Sequence, residues 1–154
     1  MKQTRRTALQ AAGGAGVYAA LVSIGLLRPG RADAFEVSGA FKTQGIAATL
    51  KALGAEGATE SDDVVINAPD IAENGAVVPV GVSSKLPNTE SLALLVEKNP
   101  NALAGTYDVS GIEPHVNMRI KMGQSSDVVA VVKADGKYYM ARKEIKVTLG
   151  GCGG

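Results

Sequence analysis

The stretch HVNMRIKM sets Val116, Met118, Ile120 and Met122 on one side of an extended chain and His115, Asn117, Arg119 and Lys121 on the other. A period of two marks a strand with one face in a core and one in water, and it does not fit a helix, whose faces recur about every 3.6 residues. The same period runs through VVPVGVSS, with Val78, Val80 and Val82 against Val77, Pro79 and Gly81. It returns in SLALLVEK, with Leu92, Leu94 and Val96 against Ser91, Ala93 and Leu95. The long run DVVAVVKADGKYYMARKEIKVTL reads as two strands joined at Asp135-Gly136, a dipeptide that tolerates the positive φ angles of a two-residue hairpin turn. DVVINA and GTYDVS add further strands, and Asn74-Gly75, Pro87-Asn88 and Asn99-Pro100 mark turns between runs.

About seven short strands at this spacing predict an all-β domain, an immunoglobulin-like sandwich. With a single cysteine and no tryptophan, the chain lacks the Cys–Trp–Cys hallmark of true immunoglobulin domains, so only the architecture follows. Pro79 implies a sheet edge or a bulge, because proline cannot donate to a ladder. The valines beside it make that stretch a candidate docking surface for a partner. Ahead of the strands, FKTQGIAATLKALGAEG carries Ile46, Leu50 and Leu53 at helical spacing, with Gly54 as the stop.

The chain opens MKQTRRTALQAAGGAGVYAALVSIGLLRPGRADAFEV. Arg5 and Arg6 ahead of an apolar stretch from Ala11 to Leu27 form a twin-arginine export signal, with Ala8 where a bulkier apolar residue is usual. Ala32-Asp33-Ala34 has the small-x-small form of a cleavage site, which places the cut after Ala34. The apolar stretch is 17 residues interrupted by glycines, short of the roughly 20 that a spanning helix needs. The expected division is therefore a signal peptide over 1–34, one domain over 35–149, an arm over 150–154, and no membrane anchor in the mature form. Removing Lys2, Arg5, Arg6, Arg28, Arg31 and Asp33 changes the net charge from +1 to −3 and leaves no basic cluster, which argues against a nucleic-acid partner. Twin-arginine signals carry folded cargo, and with no cofactor motif in the chain the expectation is a partner that folds with it and leaves with it. The destination is the periplasm.

The catalytic inventory is thin. His115, the one histidine, lies on the polar face of its strand, and one histidine with one cysteine falls short of a zinc site. Asp62 and Asp63 are adjacent and would point to opposite faces of a strand; ATESDD reads as a solvated turn. No enzyme activity, cofactor or metal is expected.

The chain ends VTLGGCGG. Gly150, Gly151, Gly153 and Gly154 flank Cys152, and glycines cost the most entropy to order, so this segment reads as a slim arm. Three residues beyond Leu149 reach roughly 10 Å when extended. An unperturbed thiol titrates near 8.5 and is only a few per cent thiolate near neutrality. Nothing adjacent activates it, so activation falls to whichever active site receives the arm. From the residues alone two uses stay open: a carrier that holds a group on sulfur, and an exported binding or structural protein joined to a second copy by an intermolecular disulfide. A Gly-Gly thiocarboxylate carrier does not suit an exported sandwich, and a prenylation box needs three residues after the cysteine.

GGCGG, together with APDIAENGAVVPV and RIKMGQSSDVVAVVKADGKYY, resembles the SoxY family, the sulfur-carrying subunits of the bacterial thiosulfate-oxidising system. The resemblance implies an immunoglobulin-like fold and a complex with SoxZ, which is exported with it. It implies that Cys152 is the covalent attachment site for sulfur oxyanions and that the four glycines form a swinging arm. It further implies transient contacts with a c-type cytochrome enzyme that joins the substrate to the cysteine, a hydrolase that releases sulfate, and a sulfane dehydrogenase. It gives no role to His115.

Overall fold

The computed structural model describes residues 34–148. Two helices, α1 (Ala34–Ala40) and α2 (Ile46–Ala52), precede nine strands: β1 (Thr59–Glu60), β2 (Val64–Asn67), β3 (Ile71–Ala72), β4 (Val78–Ser84), β5 (Thr89–Val96), β6 (Leu103–Asp108), β7 (His115–Ile120), β8 (Ser126–Ala134) and β9 (Lys137–Val147). Two of the nine, β1 and β3, are two-residue strands paired parallel to β9. The other seven are the seven expected from the alternation.

They form two sheets, ordered β1-β9-β8-β5-β6 with β3 also on β9, and β2-β4-β7. Between the sheets lies the core: Val78, Val80 and Val82 of β4 face Leu92, Leu94 and Val96 of β5 and Val128, Ala130 and Val132 of β8. Ile120, Met122 and Ile145 close it. This arrangement is an immunoglobulin-like sandwich.

The large sheet is buried on both faces, which explains why VVAVV in β8 does not alternate. Its outward residues Ala93, Leu95, Val129 and Val131 pack beneath Ile46, Leu50 and Leu53 of the helical segment. A strand covered on both sides reads as a continuous apolar run. Within the segment read as helical the structure forms one helix, α2, whose start is set by Gly45 at φ 75°; α1 lies ahead of that segment. At the far end Gly54 N–H donates to Lys51 O (3.0 Å) and Ala55 N–H to Leu50 O (2.8 Å), the paired bonds of a glycine-terminated helix. Tyr138 Oη donates to Leu53 O at 3.2 Å and holds this cover on β9.

Pro79 departs from expectation in part. β4 is the central strand of its sheet, but its register with β2 ends at Asn67↔Gly81, while its register with β7 continues to Val78↔Ile120. Pro79 therefore sits where the strand is paired on one side only, an edge confined to residues 78–80. Of the valines in the stretch expected to dock a partner, Val78, Val80 and Val82 are at most 1% exposed, buried in the sandwich's own core, so their side chains offer no outer surface. Only Val77 and Pro79 of that stretch reach solvent.

The Asp135-Gly136 turn is as read, with φ of 49° and 71° and Ala134 opposite Lys137. Asn88 Nδ2 donates to Asp135 Oδ1 (2.9 Å), and the two oxygens of Glu90 take Lys133 Nζ (2.8 Å) and Gly136 N–H (2.9 Å). Those contacts hold the Glu90 carboxyl below its ordinary value, the Lys133 hydrogen bond first and the Gly136 amide second. Asp62 and Asp63 lie in an exposed turn.

Candidate functional site: the root of the C-terminal arm

Cys152 and its four glycines lie outside the described residues, as do Arg5, Arg6 and the segment up to Asp33. Ala34, after which the cut is expected, is the first residue of α1. The structure describes the platform from which residues 149–154 depart, and that platform is built from the end of β9.

β9 runs 11 residues from the hairpin turn to Val147, roughly 36 Å at about 3.3 Å per residue. Its last residues alternate their backbone bonds. Lys146 N–H donates to Asp70 O (2.9 Å) and Thr148 N–H to Ala72 O (3.1 Å), both on the side of β3. Between them Val147 N–H turns the other way and donates to Ser125 Oγ at 2.9 Å. Successive amides of an extended strand point to opposite edges, so one side is met by a strand and the other by a serine placed as a substitute acceptor.

The β3 segment is itself fixed. Lys143 Nζ bonds Ala68 O and pairs with Asp70 Oδ1 at 3.0 Å. Gly75 O accepts Met122 N–H at 2.7 Å, which ties the turn after β3 to the exit of β7. The approach there admits only glycine: a Cβ on Gly75 would lie 2.8 Å from Val147 Cγ1 and closer still to the Met122 carbonyl oxygen. Ala76 N–H donates to Asn74 Oδ1 at 2.9 Å and closes the turn. Thr148, the last described residue, has its backbone bonded to Ala72 and so fixes the origin of the arm's reach.

Sequence reasoning identified Asn74-Gly75 only as a turn. It did not find Ser125, Asp70, Ala72 or Lys143 as the residues that hold the arm's root.

His115 is elsewhere. It is exposed on β7, with its Nε2 2.8 Å from Asn117 Nδ2. It stands five residues along the strand from Ile120, roughly 17 Å at about 3.3 Å per residue. Among the described residues no hydrogen bond links it to Thr148 at the root of the arm. No three histidine, cysteine or carboxylate side chains converge as a metal site among the described residues. Nor does any described helix have the length and apolarity to cross a membrane.

With the platform described, comparison with known proteins identifies it. Residues 50–152 match the family of the sulfur oxidation protein SoxY. The sulfur carrier protein SoxY from Chlorobium limicola f thiosulfatophilum superposes with a TM-score of 0.60 at 36% identity, over 66% of this chain and 94% of that one. A lytic polysaccharide monooxygenase from Jonesia denitrificans gives a TM-score of 0.37 at 13% identity, over 59% of this chain and 58% of that one, too distant to inform. No curated protein matches in sequence. The family match spans two thirds of the chain and runs through Cys152, and on that ground the chain belongs to the SoxY family of sulfur oxidation carrier proteins.

Proposed function

We propose that the protein carries sulfur intermediates covalently on Cys152 and presents them to the enzymes of thiosulfate oxidation. The observation that carries this reading is the extent of the family match, which continues past the sandwich to residue 152. It is supported by a strand end pinned by backbone bonds at Thr148, which gives the following residues a fixed origin. Joining thiosulfate to the thiol forms an S–S bond and releases one proton and two electrons, which a c-type cytochrome enzyme takes. Hydrolysis of the resulting cysteine-bound sulfonate breaks its terminal sulfur–sulfur bond, adds water to the sulfonate sulfur and releases sulfate and two protons. A deprotonated persulfide, Cys–S–S⁻, stays on Cys152 for a sulfane dehydrogenase. The carrier supplies attachment and reach, and the enzymes supply activation.

In this reading Arg5 and Arg6 direct export to the periplasm, cleavage follows Ala34, SoxZ is the companion in the complex, and Gly150, Gly151, Gly153 and Gly154 form the arm. Intact-mass spectrometry of the exported protein from cells given thiosulfate tests it. The expected result is mass added on Cys152 corresponding to sulfur or sulfonate, absent in Cys152→Ser. Recovery of only free thiol and cross-linked dimer, with sulfur oxidation unimpaired in Cys152→Ser, would replace the carrier by the disulfide-linked protein.

A further inference from the structure

We infer that the loops around the root of the arm form a docking collar for the enzymes that act on sulfur held at Cys152, with Ile71 and Val77 as its apolar anchors. This rests on the carrier reading and adds to it a surface on the folded domain.

The argument begins with length. Thr148 is fixed to Ala72, and Cys152 lies four residues further on. Four residues span at most about 14 Å when fully extended. An enzyme whose reacting centre lies below its own surface must therefore bring that surface against whatever surrounds Thr148. The arm's shortness makes the contact obligatory, and the surface contacted is the same for every enzyme the arm visits.

Two loops surround that point: the segment from Asp70 to Val77, bonded to β9 at Lys146 and Thr148, and the segment ending at Ser125. Ile71 pairs with Lys146, two residues before Thr148, and its side chain is 57% exposed. Val77 is 50% exposed and follows by two residues Gly75, whose Cα carries no side chain because Val147 lies against it. Their chain neighbours Ala72 and Val78 are buried in the core, so the backbone on which both are mounted is rigid.

Exposed apolar side chains on a fixed backbone lose little entropy on binding, and a few such groups carry most of the affinity of an interface. Asp70, Glu73 and Lys146 supply a charged border, the polar rim that transient interfaces have. The occupant is thus an enzyme with a narrow channel, no more than about 14 Å from mouth to reacting centre, and an apolar lip around its mouth.

The test uses the exported carrier complex, with thiosulfate and the purified cytochrome enzyme that loads it, and follows mass gain on Cys152. Ile71→Asp/Val77→Asp is expected to lower kcat/KM for loading by about thirtyfold, the loss of roughly one interface hot spot. Ile71→Ser/Val77→Ser should lower it less, showing that loss of apolar surface acts without an added charge. Alkylation of Cys152 by iodoacetamide should proceed at the wild-type rate in both, since the thiol itself is untouched. Loading of both double variants at the wild-type rate would overturn the collar and leave the carrier reading in place. Failure of wild-type Cys152 to load at all would overturn the carrier reading, and the collar with it.

Discussion

Replacing Gly75 with alanine adds one methyl group where two neighbours already stand. The φ of Gly75 lies outside the left-handed region, so backbone strain plays no part and the effect is steric. The added Cβ meets the Met122 carbonyl oxygen and lies 2.8 Å from Val147 Cγ1. Neither can swing aside: one is backbone, the other a β-branched side chain packed against the core. Relief requires the turn to move off β7, which breaks the 2.7 Å bond from Met122 N–H to Gly75 O. Losing that bond costs about 1 kcal/mol, and overpacking of this kind adds about 1–3 kcal/mol.

We expect Gly75→Ala to destabilise by about 2–4 kcal/mol, which for a domain of this size lowers Tm by about 8–16 °C. Gly123→Ala is the control, since a Cβ there meets nothing within 4 Å and the φ is again ordinary; its Tm should stay within about 2 °C of wild type. Hydrogen exchange locates the damage. The amides of Val147 and Thr148, bonded to Ser125 Oγ and Ala72 O, should lose protection in Gly75→Ala before those in the middle of β8. A Gly75→Ala protein that melts with wild type and keeps Thr148 protected would refute the claim that close packing of this turn holds the arm's root.

Two further outcomes follow from other parts of the fold. Glu90→Gln removes a carboxyl held below its ordinary value of 4.5 by Lys133 and Gly136; a lowered folded value gives stability present above that pH and lost as pH falls through the folded one. The Tm gap between wild type and Glu90→Gln should thus be open at pH 7 and narrow as pH falls below 4.5 and through the lowered folded value, and a gap independent of pH would exclude this origin. Thr49 is fully buried, with Oγ1 2.8 Å from Gly45 O and 2.6 Å from Thr43 Oγ1; Thr49→Val should cost about 1–2 kcal/mol in denaturant unfolding, and a neutral result would show that the Thr43 hydroxyl is satisfied by Ala40 O alone.

How far the fold was legible depended on how many faces each strand buries. β7 alternates cleanly because its sheet packs a core on one face only, with His115, Asn117 and Arg119 in solvent and Ile120 in the core. β8 lies between two layers, so its sequence marks it as apolar without saying which residue meets the helices and which the opposite sheet. Pro79 was read as an edge marker, and the edge is real but three residues long, because β2 stops pairing at Asn67. Where a neighbouring strand ends is a long-range fact that no property of Pro79 encodes. The valines beside it were offered to a partner when the chain itself needed them, since local pattern cannot tell an intramolecular core from an interface.

The arm and its root divide along the same line. A thiol among four glycines stands out by residue type alone, although the tail by itself left carrier and cross-link both open. The root depends on neighbours brought from far along the chain: Ser125 is 22 residues from Val147, and Ala72 is 76 from Thr148. Most of these bonds use backbone atoms, which every residue possesses, so the residue types carry little trace of the role. A carrier nonetheless requires both halves. An arm that departs from a frayed strand would have an uncertain origin, and its reach would no longer define where an enzyme must stand. By fixing Val147 and Thr148 from opposite edges of the strand, the fold gives the residues that follow a defined origin, and on the proposed carrier reading that origin limits how far from the domain an enzyme can stand.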